Sequence, residues 1–192
     1  MRYEKGRKDA SRSKIMEVAA DRFRADGIAA SGLASIMSDA GLTNGAFYPH
    51  FQSKAELVRE AVAAALEAQT EQIREALVAG GPDLAIAIYL SPEHRDNPAK
   101  GCASAALLPE IARQPPETRS LYAERLQAQL DLVAAALPES GDREGTVLGL
   151  FATLIGTLQL ARAAQGSELS DRILAAGMAA ARTLIRPERE RM

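Results

Sequence analysis

The segment from Ser31 to Lys54 constrains the fold of this 192-residue chain more than any other stretch. Its first part has apolar residues at positions i, i+3, i+4 and i+7, which is the spacing of one helical face: Leu33, Ile36, Met37 and Ala40. Gly41 follows, and a glycine after the last helical residue is typical of a helix end. The pattern therefore predicts a short helix at 33–40 that stops at Gly41.

A second short helix is predicted directly after this turn. Thr43 is a favourable N-cap, and Pro49 disfavours helical geometry at the residue before it, so the predicted helix covers only 44–49. Two short helices around a tight turn form the helix-turn-helix arrangement, whose second helix enters the major groove of DNA. The segment therefore predicts sequence-specific DNA binding.

The same segment resembles the DNA-binding domain of the tetracycline-repressor (TetR/AcrR) family. The resemblance covers the first third of the chain and rests on residues at set spacing: Gly27, Ile28, Ser31, Ile36, Ala40, Gly41, Leu42, Thr43, Gly45, Phe47, Tyr48, His50, Phe51, Ser53, Lys54 and Leu57. Members of this family are dimeric bacterial transcription regulators, mostly repressors, which a small ligand releases from DNA. The resemblance implies an all-α fold, with an N-terminal three-helix helix-turn-helix domain joined by a long helix to a C-terminal helical ligand-binding and dimerisation domain.

Four residues at the start of the second helix suit contacts with base edges. Asn44 has the amide that pairs with adenine, and the methyl groups of Thr43 and Ala46 suit contact with thymine. Gly45 permits close approach of the backbone to the groove. We therefore predict that Thr43, Asn44, Gly45 and Ala46 read the DNA sequence.

Phosphate contacts are predicted for the residues around these four. Tyr48, His50 and Lys54 follow the reading residues and flank the start of the next helix, and the resemblance implies the same role for them. Ser31, expected to cap the helix at 33–40, looks like a further phosphate contact. Capping or core packing is the alternative for His50, whereas Phe47 and Phe51 are assigned to the hydrophobic core because they complete its apolar face.

The charge of the chain is unevenly distributed. Residues 1–54 contain nine Lys or Arg and six Asp or Glu, which gives a balance of +3, whereas the whole chain has a net charge of −2. A basic end on a mildly acidic body suggests one surface that meets phosphate, although a solvated basic tail is the alternative. The single cysteine excludes an intrachain disulfide, and no signal-like segment precedes the first helix. Both features favour a cytoplasmic protein.

Helical patterns continue to the end of the chain, and we divide it into a DNA-binding domain at 1–66 and a helical ligand-binding and dimerisation domain at 67–192. Predicted helices cover 9–26, 54–79, 83–90, 101–113, 117–136, 143–165 and 168–185, with a loop at 91–98. Ser53 and Glu56 form a capping box for the long helix. The uncharged run at 145–161 is a little shorter than a membrane span, so we interpret it as a buried helix without membrane contact.

Three glycines interrupt the apolar helix at 143–165: Gly145, Gly149 and Gly156. Glycine weakens an isolated helix by about 1 kcal/mol relative to alanine, so close approach of another helix is the expected compensation. The resemblance implies that the last two helices form the interface of a homodimer, which would read a palindromic operator. A buried helix within one subunit is the alternative.

The effector site is less well defined by the sequence. Its candidate residues are Tyr89, Cys102, Glu110, Tyr122 and Phe151, and the small number of aromatic residues favours a small or aliphatic ligand. Cys102 is expected near a helix N-terminus beside Lys100, an environment that lowers the pKa of a thiol. An electrophile- or redox-sensing repressor is therefore one alternative, and a small buried side chain is the other.

Other functional classes are disfavoured. His50 and His94 form no metal-binding or catalytic pattern with Cys102, and no phosphate-binding glycine loop is present. We therefore predict a protein that is not an enzyme and has no cofactor or metal. A helical ligand carrier or scaffold would explain residues 67–192 but leaves the pattern at 43–54 without a role.

Overall fold

The computed structural model describes residues 2–139 and 142–186, and all regular structure in these ranges is helical. The α-helices are α1 Arg2–Asp26, α2 Leu33–Asp39, α3 Lys54–Tyr89, α4 Pro92–Asp96, α5 Ala103–Ile111, α6 Pro116–Ala135, α7 Arg143–Ala163 and α8 Glu168–Ile185. Short 3₁₀ turns occupy Asn44–Ala46 and Pro98–Lys100. The prediction of an all-α fold with an N-terminal helix-turn-helix domain is confirmed.

The first hydrophobic core lies between α1, α2, the Asn44–Ala46 turn and the first half of α3. Phe47 and Phe51 are almost fully buried in it, as predicted, together with Phe23 and Leu57. Gly27 and Gly41 both have positive φ angles and end α1 and α2, which confirms the predicted stops. Helix α1 begins at Arg2, seven residues before the predicted start at position 9.

The element after the tight turn differs from the prediction. Residues 44–49 do not form an α-helix: Asn44–Ala46 is a 3₁₀ turn, closed by hydrogen bonds from Ala46 N to Thr43 O and from Phe47 N to Asn44 O. One further turn follows, in which Phe51 N donates to Phe47 O. Gly45 and Pro49 lie within this short stretch, and neither favours an extended α-helix.

Helix α3 connects the two halves of the molecule. Its capping box is partly confirmed, because Ser53 Oγ accepts a hydrogen bond from Glu56 N, while the Glu56 carboxylate accepts one from Gln52 N rather than from Ser53 N. The backbone leaves helical geometry at Gly80 and Gly81, where Gly81 has a φ of +70°, and Pro82 starts a second helical segment. The predicted helices at 54–79 and 83–90 therefore exist as two parts of α3 that are separated by a kink.

The second hydrophobic core lies between the second half of α3 and helices α5 to α8. The predicted loop at 91–98 is wrong in part, because Ser91 Oγ accepts from His94 N and so caps the short helix α4, with Pro92 in its first turn. Pro109 lies inside α5 without ending it. Helix α5 contributes to both cores: Leu107 lies in the first core and Ala105 lies in the second.

Helix α7 is mostly apolar between its charged ends and forms its most extensive packing with α8. The close approach of these helices depends on Gly177 of α8, where a Cβ atom would lie 2.2 Å from Thr157. Among the described residues, no other helix approaches the glycines of α7 in this way, so the predicted close approach stays a prediction about a second subunit. Gly156 has no neighbouring atom within 4 Å of its Cβ position.

Candidate functional site

The predicted base-reading residues lie together on the surface of the first domain. Thr43, Asn44 and Gly45 are exposed, and Ala46 is half-buried beside them. Tyr48 is 71% exposed although it is aromatic, and its ring meets the edge of the buried Phe47 ring. The core side chains therefore hold the turn in place while its other face is open to a partner.

Gly45 is a glycine that the fold itself does not require. Its φ is not positive, and a Cβ atom at this position would meet no atom within 4 Å. Gly41, in contrast, has a φ of +72°, which L side chains rarely adopt. The absence of a side chain at Gly45 leaves an open backbone surface on the outside of the molecule.

Ser31 and Lys54 both bind the backbone at the end of α1. Ser31 is fully buried, and its hydroxyl donates to Gly27 O at 2.7 Å, so it does not lie on the surface expected for a phosphate contact. Gly32, not Ser31, is the N-cap of α2. Lys54 Nζ donates to Ile28 O at 2.6 Å, and two of its three N–H groups remain available for other acceptors.

His50 lies next to basic side chains from α1. Burial lowers the pKa of His50, and the charges of Lys8 and Arg12 lower it further. The Arg12 guanidinium lies over the Phe51 ring at 4.7 Å and also pairs with Glu60. His50 is thus a half-buried ring whose pKa lies below its ordinary value in the free chain.

An interior cavity of about 50 Å³ lies between the second half of α3 and helices α5, α6 and α7. Its wall is mostly aliphatic, and the described residues that line it include no charged side chain: Gln69, Ile73, Leu77, Pro82, Ala85, Ile86, Tyr89, Cys102, Ser104, Gln129, Val133, Leu150, Phe151, Leu154 and Ile155. An open groove of about 550 Å³ shares Gln69, Tyr89 and Cys102 with this cavity. The groove has the volume of a small-ligand site, whereas the cavity is smaller than such sites.

Three of the five predicted ligand-binding residues line this cavity: Tyr89, Cys102 and Phe151. Tyr122 does not line it; its hydroxyl is hydrogen-bonded to Ser104 Oγ at 3.0 Å behind the wall. Glu110 lies at the other end of α5, where its carboxylate accepts hydrogen bonds from Ile28 N at 2.8 Å and Ala29 N at 2.9 Å. Glu110 therefore contacts the DNA-binding domain instead of the cavity.

Cys102 is the N-cap of α5 and is 3% exposed. Its Sγ accepts hydrogen bonds from Gln69 Nε2 at 3.2 Å and from Ala105 N at 3.4 Å. The neighbouring Lys100 does not provide the expected cation, because its Nζ pairs with Asp21 at 2.6 Å. The thiol is thus a packed part of the cavity wall.

His94 joins the end of α3 to the start of α5. Its Nε2 accepts from Cys102 N at 2.9 Å, so Nδ1 carries the proton and donates to Tyr89 O at 2.7 Å. Burial lowers the pKa of His94, which is therefore held in its neutral form. Sequence reasoning treated His94 as a loop residue and missed this bridge, because it depends on contacts beyond the local pattern.

Gln69 and Gln129 were also missed, although a signal for both is present. Each lies on the apolar face of its helix, with Ile73 four residues after Gln69 and Val133 four residues after Gln129. A polar side chain at such a position is a candidate for a buried contact. The sequence alone does not show that both glutamines line one cavity.

Helix α7 has an uncovered apolar stripe. Its members follow each other at four-residue spacing, with small residues between two exposed leucines: Leu148, Ala152, Gly156 and Leu160. Within the described chain, α7 is long and apolar enough to cross a membrane, yet it packs against α5, α6 and α8 as a bundle helix. Only 28% of its most apolar window is buried, so this face has apolar surface to cover.

Comparison with known proteins gives a family match for the first domain and a shared fold for the whole chain. The model of the family "Bacterial regulatory proteins, tetR family" matches residues 15–61. Among curated proteins, none matches this sequence.

Three solved structures illustrate the shared fold. E. coli NemR in its reduced form is similar with a TM-score of 0.75 and 20% identity, covering 92% of this chain and 98% of that chain. A TetR-family regulator from Cytophaga hutchinsonii has a TM-score of 0.76 and 17% identity, covering 92% and 95%. FadR from Bacillus subtilis, in complex with stearoyl-CoA, has a TM-score of 0.67 and 16% identity, covering 90% and 97%.

Proposed function

Because residues 15–61 match the family model of tetR-type bacterial regulatory proteins, we propose that this chain is a repressor of that family that leaves its DNA operator when a small molecule binds. The observation that carries the proposal is the exposed turn at Thr43 to Tyr48, in which Gly45 has no role in the fold. A regulator of this kind is not an enzyme.

Contacts with DNA are assigned to two sets of residues. Thr43, Asn44, Gly45 and Ala46 would read base edges, since they form the outer face of the turn. Tyr48, His50 and Lys54 would bind phosphates on either side. Ser31 is better explained as support for the turn after α1, because its hydroxyl is buried against Gly27 O.

A homodimer would present two such turns to a palindromic operator. The uncovered stripe from Leu148 to Leu160 supports this assembly, since small residues in its middle allow a second helix to approach closely. Two-fold symmetry places equivalent reading elements about one helical turn of DNA apart, about 34–36 Å. The operator would therefore be a pseudo-palindrome with half-sites at this spacing.

The effector would bind in the open groove of about 550 Å³ and against the wall of the interior cavity, with which the groove shares Gln69, Tyr89 and Cys102. Ligand binding by this fold is supported by FadR, which holds stearoyl-CoA. Helices α3 and α5 are among the elements that connect the cavity to the DNA-binding domain, together with the Pro98–Lys100 turn, which contacts α1 through Lys100 and Asp21. Because α5 begins at the cavity and ends with Glu110 on Ile28 N and Ala29 N, its displacement would move the backbone before α2.

The proposal is tested by measuring DNA binding and mass together. Palindromes in the DNA next to the gene are used as probes in a binding assay over a range of salt concentrations. We expect sequence-dependent binding by a particle of twice the 20.4 kDa chain mass. Asn44→Ala should relax the preference at one base pair, at a cost of about 1–3 kcal/mol.

Lys54→Ala should instead weaken all sequences and reduce the salt slope by about one unit. Exposed Lys14, whose ammonium pairs with Glu17 on the same helix, offers a matched control variant, Lys14→Ala. Binding without sequence preference would favour a ligand carrier or scaffold and contradict the regulator.

A further inference from the structure

Lys8 is an exposed lysine of α1 whose ammonium has neither an ion pair nor a hydrogen bond within the described residues. The other lysines whose side chains the structure describes each bind an acceptor of the chain: Lys14 on Glu17, Lys54 on Ile28 O and Lys100 on Asp21. An ammonium is a strong donor of three hydrogen bonds. Lys8 therefore has its full capacity available for a partner outside the chain.

The position of Lys8 follows from Arg12, one helical turn later on α1. The Arg12 guanidinium lies over the Phe51 ring at 4.7 Å, and the ring centroids of Phe51 and His50 are 6.5 Å apart. Residues four apart share one face of a helix, so Lys8 lies on the face of α1 that carries Arg12 toward Phe51. This face leads from α1 to the exposed turn through His50.

The charges that act on His50 are all positive. Burial lowers the pKa of the His50 ring most, and the charges of Lys8 and Arg12 lower it further. Glu60, on α3, pairs with Arg12. Asp9 follows Lys8 directly, and adjacent positions of a helix do not face each other. Within the described residues, no carboxylate thus compensates Lys8 and His50 together.

An anion between Lys8 and His50 would relieve this arrangement. Lys8 and Arg12 are like charges at positions i and i+4, a spacing at which repulsion weakens a helix. The Nδ1 atom of His50 is buried without a partner in the described residues, so an external group would reach the ring at Nε2. An anionic oxygen would accept hydrogen bonds from the Lys8 ammonium and from this nitrogen, and such bonds are stronger than those between neutral groups.

The place of this pair favours a phosphate of DNA. His50 follows Tyr48 by two residues, and the 71% exposed Tyr48 ends the turn that starts at Thr43. A reading element in the major groove has backbone phosphates on both sides, and contacts with them fix its orientation. Lys8 and His50 lie beside the turn, on the side of α1.

We propose that Lys8 and His50 together bind one phosphate of the DNA backbone, so that α1 makes a DNA contact of its own. The Lys8 ammonium would supply the charge, and His50 Nε2 would supply a directional hydrogen bond. This inference rests on the proposed function, since it assigns a further contact of the same DNA-binding surface.

The test measures binding of the full chain to the palindrome and to a duplex of scrambled sequence, between about 50 and 200 mM salt. Lys8→Ala should weaken binding to both duplexes and reduce the salt slope by about one unit for each protomer on DNA, since one phosphate contact is lost. Over this range the wild type should lose about 3.5-fold more affinity per protomer than the variant. Lys14→Ala is the matched control, since the Lys14 ammonium pairs with Glu17 on the same helix.

Two further measurements separate a phosphate contact from a structural role. Lys8→Ala should leave the urea midpoint unchanged or slightly higher, because the repulsion with Arg12 is removed. The effects of Lys8→Ala and His50→Ala on DNA affinity should not multiply: the double variant should lose less affinity than the product of the two single losses, because both residues bind the same phosphate. The urea midpoint of His50→Ala is measured as well, since its ring is half-buried.

Three results would overturn the inference: equal salt slopes of Lys8→Ala and Lys14→Ala, a loss of DNA binding by Lys8→Ala that a lower urea midpoint explains, or fully multiplicative effects of Lys8→Ala and His50→Ala. Each would leave a sequence-specific regulator in place. A chain that binds both duplexes equally, and whose salt slope still falls in Lys8→Ala, would contradict the regulator alone. A chain that binds neither duplex would contradict both.

Discussion

Replacing Glu110 by glutamine tests whether α5 ties the cavity to the DNA-binding domain. The Glu110 carboxylate accepts from Ile28 N and Ala29 N, one N–H on each oxygen, at 2.8 and 2.9 Å. An amide keeps one acceptor oxygen but turns its own N–H groups toward the other backbone N–H. One hydrogen bond is therefore lost, and the remaining one is no longer charge-assisted.

The expected cost follows from these two contacts. A hydrogen bond to a charged group contributes about 1.5–3 kcal/mol, and one between neutral groups contributes about 1 kcal/mol. Glu110 is only half-buried and Ala29 is exposed, so solvent replaces part of what is lost. We expect Glu110→Gln to lower the free energy of unfolding by about 1–2 kcal/mol.

The assay combines urea unfolding with hydrogen exchange at single amides. Exchange should accelerate at Ile28 and Ala29, because their N–H groups lose an acceptor, while the amides of α8 keep their protection relative to global unfolding. Glu124→Gln is the matched control, since Glu124 is exposed on α6. Its effect should stay within about 0.5 kcal/mol.

The reasoning would be refuted by a Glu110→Gln protein whose urea midpoint and Ile28 exchange rate equal those of Glu124→Gln. In that case the contact is not maintained in solution. The proposed route through α5, a nine-residue helix about 13 Å long, would then be replaced by α3 or by the contact of Lys100 with Asp21.

Four further predictions follow from single contacts. Gly45→Ala should change the free energy of unfolding by no more than about 1 kcal/mol, yet weaken DNA binding at least about tenfold. Gly41→Ala, at a φ of +72°, should lower the free energy of unfolding by about 1–2 kcal/mol. Equal DNA binding by wild type and Gly45→Ala would contradict the open-backbone argument. Burial lowers the pKa of His94 in the folded protein below its unfolded pKa of about 6.5. The contribution of neutral His94 to the free energy of unfolding is therefore fully present above roughly pH 6.5 and is lost as the pH falls through the folded-state pKa. Urea unfolding between pH 7.5 and 5.5, about one unit on each side of the unfolded pKa, should show this loss in the wild type and a smaller slope in His94→Asn, with His50→Gln for comparison. Leu160→Glu on the stripe of α7 should give a monomer of 20.4 kDa by light scattering, while exposed Val78→Glu on α3 should keep the dimer. If Cys102 is a sensor, an electrophile such as N-ethylmaleimide should release DNA from the wild type but not from Cys102→Ser. If the buried thiol is only a helix cap, the wild type and Cys102→Ser should both keep their operator affinity in the presence of the electrophile.

Local patterns explain what could be predicted about the fold. The stops at Gly27 and Gly41, the Ser53 cap and the burial of Phe47 and Phe51 all depend on residues within about four positions of each other. The turn at 44–46 was assigned to the wrong helix type because 3₁₀ and α-helical turns share their residue preferences over so few positions. The sequence alone thus identified the exposed turn but not its backbone geometry.

The predicted roles of Ser31 and Glu110 show where local reasoning ends. Ser31 has the residue type of a phosphate contact or a cap, yet its hydroxyl is turned inward to Gly27 O. Glu110 was interpreted as a possible ligand contact because its neighbours in sequence are apolar, while its carboxylate binds backbone groups about eighty residues away in the chain. Side-chain direction in both cases follows from how the helices pack.

By itself, the sequence determined the helical class, the helix-turn-helix segment and the residues of its exposed turn, since helix periodicity and turn chemistry act over short distances in the chain. Only the tertiary structure decided which polar atoms share the cavity. Gln69, Tyr89 and Gln129 come from α3 and α6, and the crossing of these helices, not their spacing in sequence, brings the three residues to one wall. The same packing places His94 between α3 and α5 and Glu110 on the end of α1, because each contact joins helices whose relative positions depend on the two hydrophobic cores.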